Sequence, residues 1–140
     1  MKQIEVVAAI IQCGKEILCV QRGPEKFEYI SKKYEFPGGK VEVGETRENA
    51  LIREIKEELD LDIIKPKFFY TVNHQYPDFY IRMHSFICLV ENKVITLTEH
   101  IDLQWLEIDV LENLDWAAAD MPIIKKLLKD NGKEFKLDAI

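Results

Sequence analysis

The chain has 140 residues, of which 47% are hydrophobic and 31% are charged. We expect one domain over residues 1–140, because domains typically run to about 100–150 residues. The composition excludes a disordered tail, and no apolar run approaches the roughly 20 residues that a membrane span needs. The first residues do not resemble a secretory signal, so we expect a cytoplasmic protein.

Charge and cysteine content limit the kinds of binding partner, disulfide and metal site that we expect. The 25 acidic and 19 basic residues give a net charge of −6, which disfavours a nucleic-acid partner, and no membrane partner is expected. A small anionic substrate stays compatible, because a divalent cation held by carboxylates reverses the local charge. Cys13, Cys19 and Cys88 show no CxxC spacing, so we expect packed thiols rather than disulfides or a zinc site. Charge and cysteine content are compatible with both a monomer and a homodimer.

The first part of the chain is predicted to form strands and a loop. Residues 4–11 are apolar and mostly β-branched, which indicates a strand buried on both faces, and a short loop leads to a second strand over Glu16–Gln21. Residues 22–33 are polar and contain a Gly-Pro pair, which predicts a loop. Residues 34–40 are typical of a strand that runs into a proline and glycine turn.

A helix is predicted over Arg47–Leu59, where apolar residues recur at helical spacing and charged residues cover the remaining surface. Thr46 stands where an N-cap is expected, although Glu45 or Gly44 would also open the helix.

Further strands follow the helix. Residues 67–73 and 80–90 are rich in strand formers and flank a turn signal at residues 76–78, which indicates a hairpin. Residues 103–106 alternate and predict another strand.

The chain is predicted to close with two helices. A short helix follows Asp109, and a longer one runs over residues 121–129, with Asp120 as its N-cap and Gly132 just past its end. This order of elements predicts a mixed sheet with helices packed on it.

Three glutamates on the helix over Arg47–Leu59 are the first candidates for chemistry. Glu54, Glu57 and Glu58 stand at i, i+3 and i+4 and therefore share one side of the helix. Like charges at this spacing repel one another. A divalent cation relieves that repulsion, and Mg²⁺, or Mn²⁺ in its place, prefers such oxygen ligands. The alternative is an acidic face that is simply solvated.

The preceding segment favours the metal. Gly38 and Gly39 let the backbone come close to a metal or phosphate, and Lys40 follows them. Glu45 lies at the start of the helix, where its dipole favours a carboxylate. Arg53 stands beside Glu54, with a planar guanidinium suited to orienting a carboxylate.

These residues together resemble the Nudix box of the Nudix hydrolases. The match covers 23 contiguous residues at fixed gaps: Gly39, Glu45, Arg53, Glu54, Ile55, Lys56, Glu57, Glu58, Leu59 and Leu61. One position departs, since the family usually has glycine where this chain has Asp60. Aspartate is among the few residues that tolerate the left-handed conformation of a helix end.

The resemblance implies a Nudix α/β/α sandwich of the α/β (α+β) class, with a mixed β-sheet flanked by helices. It also implies hydrolysis of a nucleoside diphosphate linked to another group, in which positioning and charge neutralisation carry catalysis. Carried over by position, Glu57 and Glu58 would bind Mg²⁺, and Glu54 would be a ligand or the base nearest the attacking water. The Gly38 carbonyl would be a further ligand, Arg53 would orient Glu54, and Glu45 would support the site.

Beyond the box, residues 1–22, 34–40, 76–78 and 118–122 are similar to the MutT-like nucleoside triphosphate pyrophosphohydrolases. This likeness implies release of a nucleoside monophosphate and pyrophosphate, from CTP or dCTP or from an oxidised nucleotide such as 8-oxo-dGTP. Lys40 would belong to the catalytic residues, and Glu99 would be an additional metal or base carboxylate. Nucleotide contacts would come from Arg22, Phe36, Phe79 and Asp120.

Asp120 bears on the base. MutT itself has asparagine at this position, which both donates and accepts, whereas an ionised carboxylate only accepts. An aspartate resembles the CTP-specific relatives more closely, because it suits the amino group of cytosine and, when protonated, also donates to cytosine N3. The N-cap role and the base contact are compatible.

Two alternative functions fit the same residues. One alternative is another nucleoside diphosphate compound such as ADP-ribose, and a second is a non-catalytic nucleotide-binding module. Loss of Arg53, Glu54, Glu57 or Glu58 would indicate the binding module, and all four are present. The three histidines, His74, His84 and His100, show no metal-binding spacing and are expected to be surface or core residues.

Overall fold

The computed structural model describes the backbone of residues 2–138 and the side chains of residues 2–131. The described chain contains seven strands and two α-helices, together with two 3-10 helices at Ile108–Asn113 and Ala118–Asp120. The strands are β1 (Lys2–Cys13), β2 (Glu16–Gln21), β3 (Tyr34–Glu35), β4 (Gly38–Lys40), β5 (Lys67–Gln75), β6 (Phe79–Leu89) and β7 (Asp102–Glu107), and the helices are α1 (Arg47–Leu59) and α2 (Met121–Asp138).

The strands form one mixed sheet in the order β3-β2-β1-β6-β5, with β4 paired to β1 and β7 paired to β2. Strands β1 and β6 run parallel along their length, while the other pairs are antiparallel. The two predicted hairpins, β1 with β2 and β5 with β6, are confirmed. Val7 to Ile11 of the central strand β1 are buried, as expected for a strand covered on both faces.

Helices cover both faces of the sheet. Leu51, Ile55 and Leu59 of α1 pack with one set of alternate residues of β1, such as Ala9. Residues of α2, including Ile123, pack with the other set. The helices therefore flank the mixed sheet as predicted. No helix within residues 2–138 has the length and apolar character that a bilayer crossing requires.

Both ends of α1 agree with the sequence prediction. The Thr46 hydroxyl accepts a hydrogen bond from the Asn49 N–H at 3.1 Å, which identifies Thr46 as the N-cap. Asp60 adopts the left-handed conformation, with φ 51° and ψ 44°, and its N–H donates to the Lys56 carbonyl. Aspartate thus fills the conformational role of the usual glycine.

Four predictions about the bounds of elements and about burial are wrong. Gly38–Lys40 is strand β4 rather than part of a turn, because its backbone pairs with β1. Helix α2 runs through Gly132 to Asp138, because an interior glycine costs only about 1 kcal/mol and does not by itself end a helix. The helix expected after Asp109 is a 3-10 helix that begins at Ile108. Cys13 is half-buried, although the other two thiols are buried as expected.

Candidate active site

A cleft of about 440 Å³ opens beside β4 and reaches the sheet face that packs on α2. That volume falls in the range of small-molecule sites, roughly 300–1,000 Å³. Most of the candidate residues line it: Arg22, Phe36, Gly38, Lys40, Glu54, Glu58, Phe79, Glu99 and Asp120. The three other candidates, Glu45, Arg53 and Glu57, lie outside this lining.

Two glycines bring β4 against its neighbours. A Cβ atom at Gly39 would overlap the carboxyl group of Glu54, so the missing side chain makes room for that carboxylate. A Cβ atom at Gly38 would overlap the backbone carbonyl of Val7 on β1. Gly38 is therefore required for strand packing, a reason that the sequence did not reveal.

Arg53 joins the loop before α1 to the acidic side of the helix. Its Nε and Nη2 atoms donate to the two carboxylate oxygens of Glu45, and its Nη1 atom donates to Glu54 at 2.9 Å. Nη2 also donates to the Lys40 carbonyl at 3.1 Å. The hydrogen bonds from Arg53, helped by the Glu42 N–H, lower the pKa of Glu45 to about 2. This set of contacts holds the Glu54 carboxylate in place in the cleft.

Glu54 and Glu58 form a carboxyl pair at the floor of the cleft, in which Glu58 is buried and Glu54 is half-buried. Their side chains are 16% and 4% exposed, and they share a hydrogen bond. Burial, the hydrogen bond that protonated Glu58 donates to Glu54, and the nearby charges of Glu54, Glu99 and Glu35 raise the pKa of Glu58 well above its ordinary value. One carboxyl of the pair therefore holds a proton near neutral pH, because two adjacent buried charges repel one another.

Glu57, Glu99 and Lys40 are more open to solvent. The Glu57 side chain is 56% exposed and lies 3.4 Å from Arg53 Nη1, at the rim rather than on the floor. Glu99 and Lys40 are exposed residues of the cleft wall. The structure thus separates Glu57 from Glu54 and Glu58, which the sequence had grouped with it on one side of the helix.

The donor atoms on the cleft floor fit a hard divalent cation. Carboxylate oxygens and a backbone carbonyl are the ligands that Mg²⁺ and Mn²⁺ accept. Glu54 and Glu58 lie side by side, and a cation would replace the proton that relieves their repulsion. Among the side chains of residues 2–131, no three aspartate, glutamate, histidine or cysteine groups are arranged as a complete metal cage. Water and substrate oxygens would complete the coordination, as is usual for Mg²⁺.

The sequence did not predict a row of neighbouring polar side chains that runs from Arg22 through Glu35 and His100 to Glu58. Arg22 donates to Glu35 Oε1 from Nε at 3.1 Å and from Nη2 at 2.9 Å. His100 Nε2 lies 3.1 Å from Glu35 Oε2 and 3.8 Å from Glu58 Oε1. The only hints in the sequence were that Glu35 precedes Phe36 and that His100 follows Glu99, and neither placed the two residues in contact.

Asp120 lies at the other end of the cleft, near Phe36. Its Oδ2 atom accepts a hydrogen bond from the Phe36 N–H at 2.9 Å, and Asp120 itself is the last residue of the 3-10 helix that leads into α2. The N-cap expectation is therefore wrong, because the carboxyl is turned toward another segment of the chain. Burial first, and the nearby charge of Glu35 second, raise the pKa of Asp120 to about 8, against the Phe36 hydrogen bond and Arg22.

Aromatic rings surround this end of the cleft. Phe79 and Tyr76 line it, with ring centroids 5.1 Å apart, and Tyr29 stacks on Tyr76 at the same separation. The Phe36 ring packs on Trp116 at 4.8 Å and is buried in the core, so its backbone N–H is the part nearest to Asp120.

Comparison with known proteins agrees with this geometry. The family model described as NUDIX domain matches residues 1–127. This chain belongs to the Nudix family. It is a Nudix hydrolase, and its relatives are named pyrophosphohydrolases and diphosphatases.

Three relatives illustrate the similarity of this Nudix hydrolase. CTP pyrophosphohydrolase of Escherichia coli (strain K12) is 30% identical over 91% of this chain and 93% of that protein. 8-oxo-dGTP diphosphatase of the same organism is 29% identical over 91% and 98%. The solution structure of DNA mismatch repair protein MutT from methicillin-resistant Staphylococcus aureus 252 is 41% identical, with a TM-score of 0.72 and coverage of 93% and 99%.

Proposed function

We propose that this Nudix hydrolase cleaves nucleoside triphosphates to a nucleoside monophosphate and pyrophosphate, with Mg²⁺ as its cofactor. The observation that carries the proposal is the Glu54 and Glu58 carboxyl pair, which lines a cleft of nucleotide size beside Gly38 and Gly39. The relatives named for CTP and 8-oxo-dGTP support it. A cytoplasmic location and a small-molecule partner belong to the same proposal, and the free cysteines are compatible with a reducing compartment.

The metal would be held at the floor of the cleft. Glu54, Glu58 and the Gly38 carbonyl are the proposed ligands, and Glu99 would join them from the cleft wall. Glu57 is proposed as a ligand at the rim, since it lies on the same side of α1 one turn from Glu54. When bound, the ion neutralises phosphate charge and makes water a better nucleophile.

The chain's own groups would position the reactants. Glu54 is proposed to accept the proton of the attacking water, and Arg53 holds its carboxylate through the 2.9 Å hydrogen bond. Glu45 keeps the Arg53 guanidinium in that position by accepting hydrogen bonds from its Nε and Nη2 atoms. Arg22 and Lys40, which both line the cleft, would neutralise the charge of the phosphates.

We further propose a cytosine base at the Asp120 end. Because the pKa of Asp120 is raised to about 8, its carboxyl is protonated at neutral pH and donates a hydrogen bond as well as accepting one. Cytosine N3 accepts such a hydrogen bond. Phe79 lines the same end and offers a ring against the base. An oxidised purine is the second candidate, because relatives carry the name 8-oxo-dGTP diphosphatase.

A nucleotide panel tests the proposal. Wild-type protein and Asp120→Asn are assayed for pyrophosphate release from CTP, dCTP and 8-oxo-dGTP with Mg²⁺. We expect wild type to prefer a cytosine nucleotide and Asp120→Asn to shift the ratio of kcat/KM values toward 8-oxo-dGTP. Release of inorganic phosphate instead of pyrophosphate, or no hydrolysis of any nucleotide in the panel, would contradict the proposed reaction.

A further inference from the structure

His100 is almost fully buried between two carboxylates of the cleft. Its side chain is 5% exposed, and its Nε2 atom lies 3.1 Å from Glu35 and 3.8 Å from Glu58. The first distance is that of a hydrogen bond, and the second is too long for one. Glu35 is therefore the hydrogen-bond partner of His100 Nε2.

The direction of this hydrogen bond follows from the other partners of Glu35. Glu35 Oε1 accepts from Arg22 Nε and Nη2, which is the contact of an ionised carboxylate with a guanidinium. An ionised carboxylate only accepts hydrogen bonds, so His100 Nε2 carries the proton and donates it to Glu35 Oε2. Both oxygens of Glu35 are thus held, one by Arg22 and the other by His100.

The environment of the second ring nitrogen of His100, Nδ1, is unfavourable. Nδ1 is buried and has no hydrogen-bond partner among the residues that the structure describes. A buried polar atom without a partner is destabilising, so an apolar side chain would suit a purely structural position better. The contact of Nε2 with Glu35 gives a reason for the histidine.

We infer that His100 is a positioning residue that acts through Glu35 to hold the Arg22 guanidinium toward the phosphates of the nucleotide. The inference rests on the proposed function, because it needs a triphosphate in the cleft that Arg22 lines. Without the His100 hydrogen bond, Glu35 loses one of its two anchors. Arg22 then loses the fixed position of the carboxylate that binds its Nε and Nη2 atoms, while its Nη1 atom still donates to Glu25 at 3.0 Å. Nucleotide binding should weaken while the chemical step is largely preserved.

Two variants of His100 and one matched control test the inference. His100→Ala removes the donor, whereas His100→Gln keeps an amide N–H that can reach the same carboxylate. The control is His84→Gln, because His84 is an equally buried histidine whose Nε2 lies 2.6 Å from Glu5, and neither His84 nor Glu5 lines the cleft. Loss of stability alone would affect His84→Gln as much as His100→Ala.

The kinetic readout separates positioning from general damage. For CTP, we expect His100→Ala to raise KM about tenfold, the effect of one lost charge-assisted hydrogen bond, with kcat changed less than about threefold. His100→Gln should recover much of the affinity, and His84→Gln should match wild type. In an Arg22→Ala background, His100→Ala should raise KM no further, because its effect passes through Arg22.

A readout without substrate or metal completes the test. The Arg22 Nε–Hε signal in an NMR spectrum of the metal-free protein should shift in His100→Ala and return toward its wild-type position in His100→Gln. An unchanged signal and an unchanged KM would overturn the inference, as would a fall in kcat with weaker Mn²⁺ binding, which would assign His100 to Glu58 instead. If wild type hydrolyses no nucleotide but the signal shifts, the proposed function fails and the contact itself is supported.

Discussion

The Arg53 guanidinium binds the Glu45 carboxylate through two parallel hydrogen bonds, Nε to Oε2 at 2.7 Å and Nη2 to Oε1 at 2.9 Å. The same guanidinium reaches Glu54 through Nη1. Arg53 therefore fixes a carboxylate of the cleft to the loop that precedes α1, a task that requires the planar arrangement of several donors.

Arg53→Lys is expected to reduce kcat/KM roughly 10- to 100-fold, the range found when a residue that orients a metal ligand is lost. A lysine ammonium cannot donate to Glu45 and Glu54 in the same geometry. Steady-state assays with CTP and Mg²⁺ measure the effect. Arg47→Lys, on the exposed surface of the same helix, is the control and should behave as wild type. Full activity in Arg53→Lys would show that orientation of Glu54 is unimportant.

The two glycines of β4 should fail in different ways when changed to alanine. Gly39→Ala places a methyl group on the flexible Glu54 carboxyl, so we expect a folded protein with little activity. Gly38→Ala meets the Val7 backbone, which cannot move without breaking strand pairing, so we expect a loss of thermal stability. Thermal unfolding and nucleotide hydrolysis distinguish the two. Gly23→Ala, where a Cβ atom has ordinary space, is the control.

Local features of the chain were predicted well. The bounds of α1 and both of its caps follow from side-chain periodicity and from Thr46 and Asp60, which act over a few residues. The contacts that complete the site join distant positions: Phe36 with Asp120 over 84 residues and Glu35 with His100 over 65. No local pattern specifies such pairs, because they depend on how the strands and helices pack. The exposure of Glu57 was missed for the same reason, since spacing gives a helix face but not its neighbours.

Glu58→Gln should stabilise the metal-free fold while it abolishes activity. The pKa of Glu58 is raised, so the native state loses stability as the pH rises above the ordinary value of a glutamate, about 4.3. A neutral amide avoids that penalty, and we expect a gain of roughly 1–3 kcal/mol at pH 8 that shrinks toward pH 5. Urea unfolding in a chelating buffer measures it, with the exposed Glu48→Gln as control. Equal stability of wild type and Glu58→Gln at pH 8 would contradict the raised pKa of Glu58.

Asp120 should make the metal-free protein less stable as the pH rises. Its pKa is about 8 in the folded chain and near 3.9 when unfolded, so the native state binds the extra proton between these values. The free energy of unfolding should therefore fall by up to about 1.4 kcal/mol per pH unit from this group, and level off above pH 8.

Comparison of wild type with Asp120→Asn isolates this contribution. The difference in unfolding free energy between the two should change steadily from pH 5 to pH 8, since only the wild type loses a proton from this position. The control is Asp115→Asn, since Asp115 is an exposed partner of Lys33. The difference in unfolding free energy between wild type and this control should not change with pH. A difference that is constant with pH would show that the Asp120 carboxyl is ionised throughout the range.

Metal binding measured by titration calorimetry in two buffers with different ionisation enthalpies tests the central claim most directly. Because Glu58 is protonated near neutral pH without metal, Mg²⁺ bound by the Glu54 and Glu58 pair should release close to one proton per ion, and Glu58→Gln should release none and bind more weakly. Equal affinity in Glu58→Gln, with no proton released by wild type, would place the cation elsewhere and contradict the account.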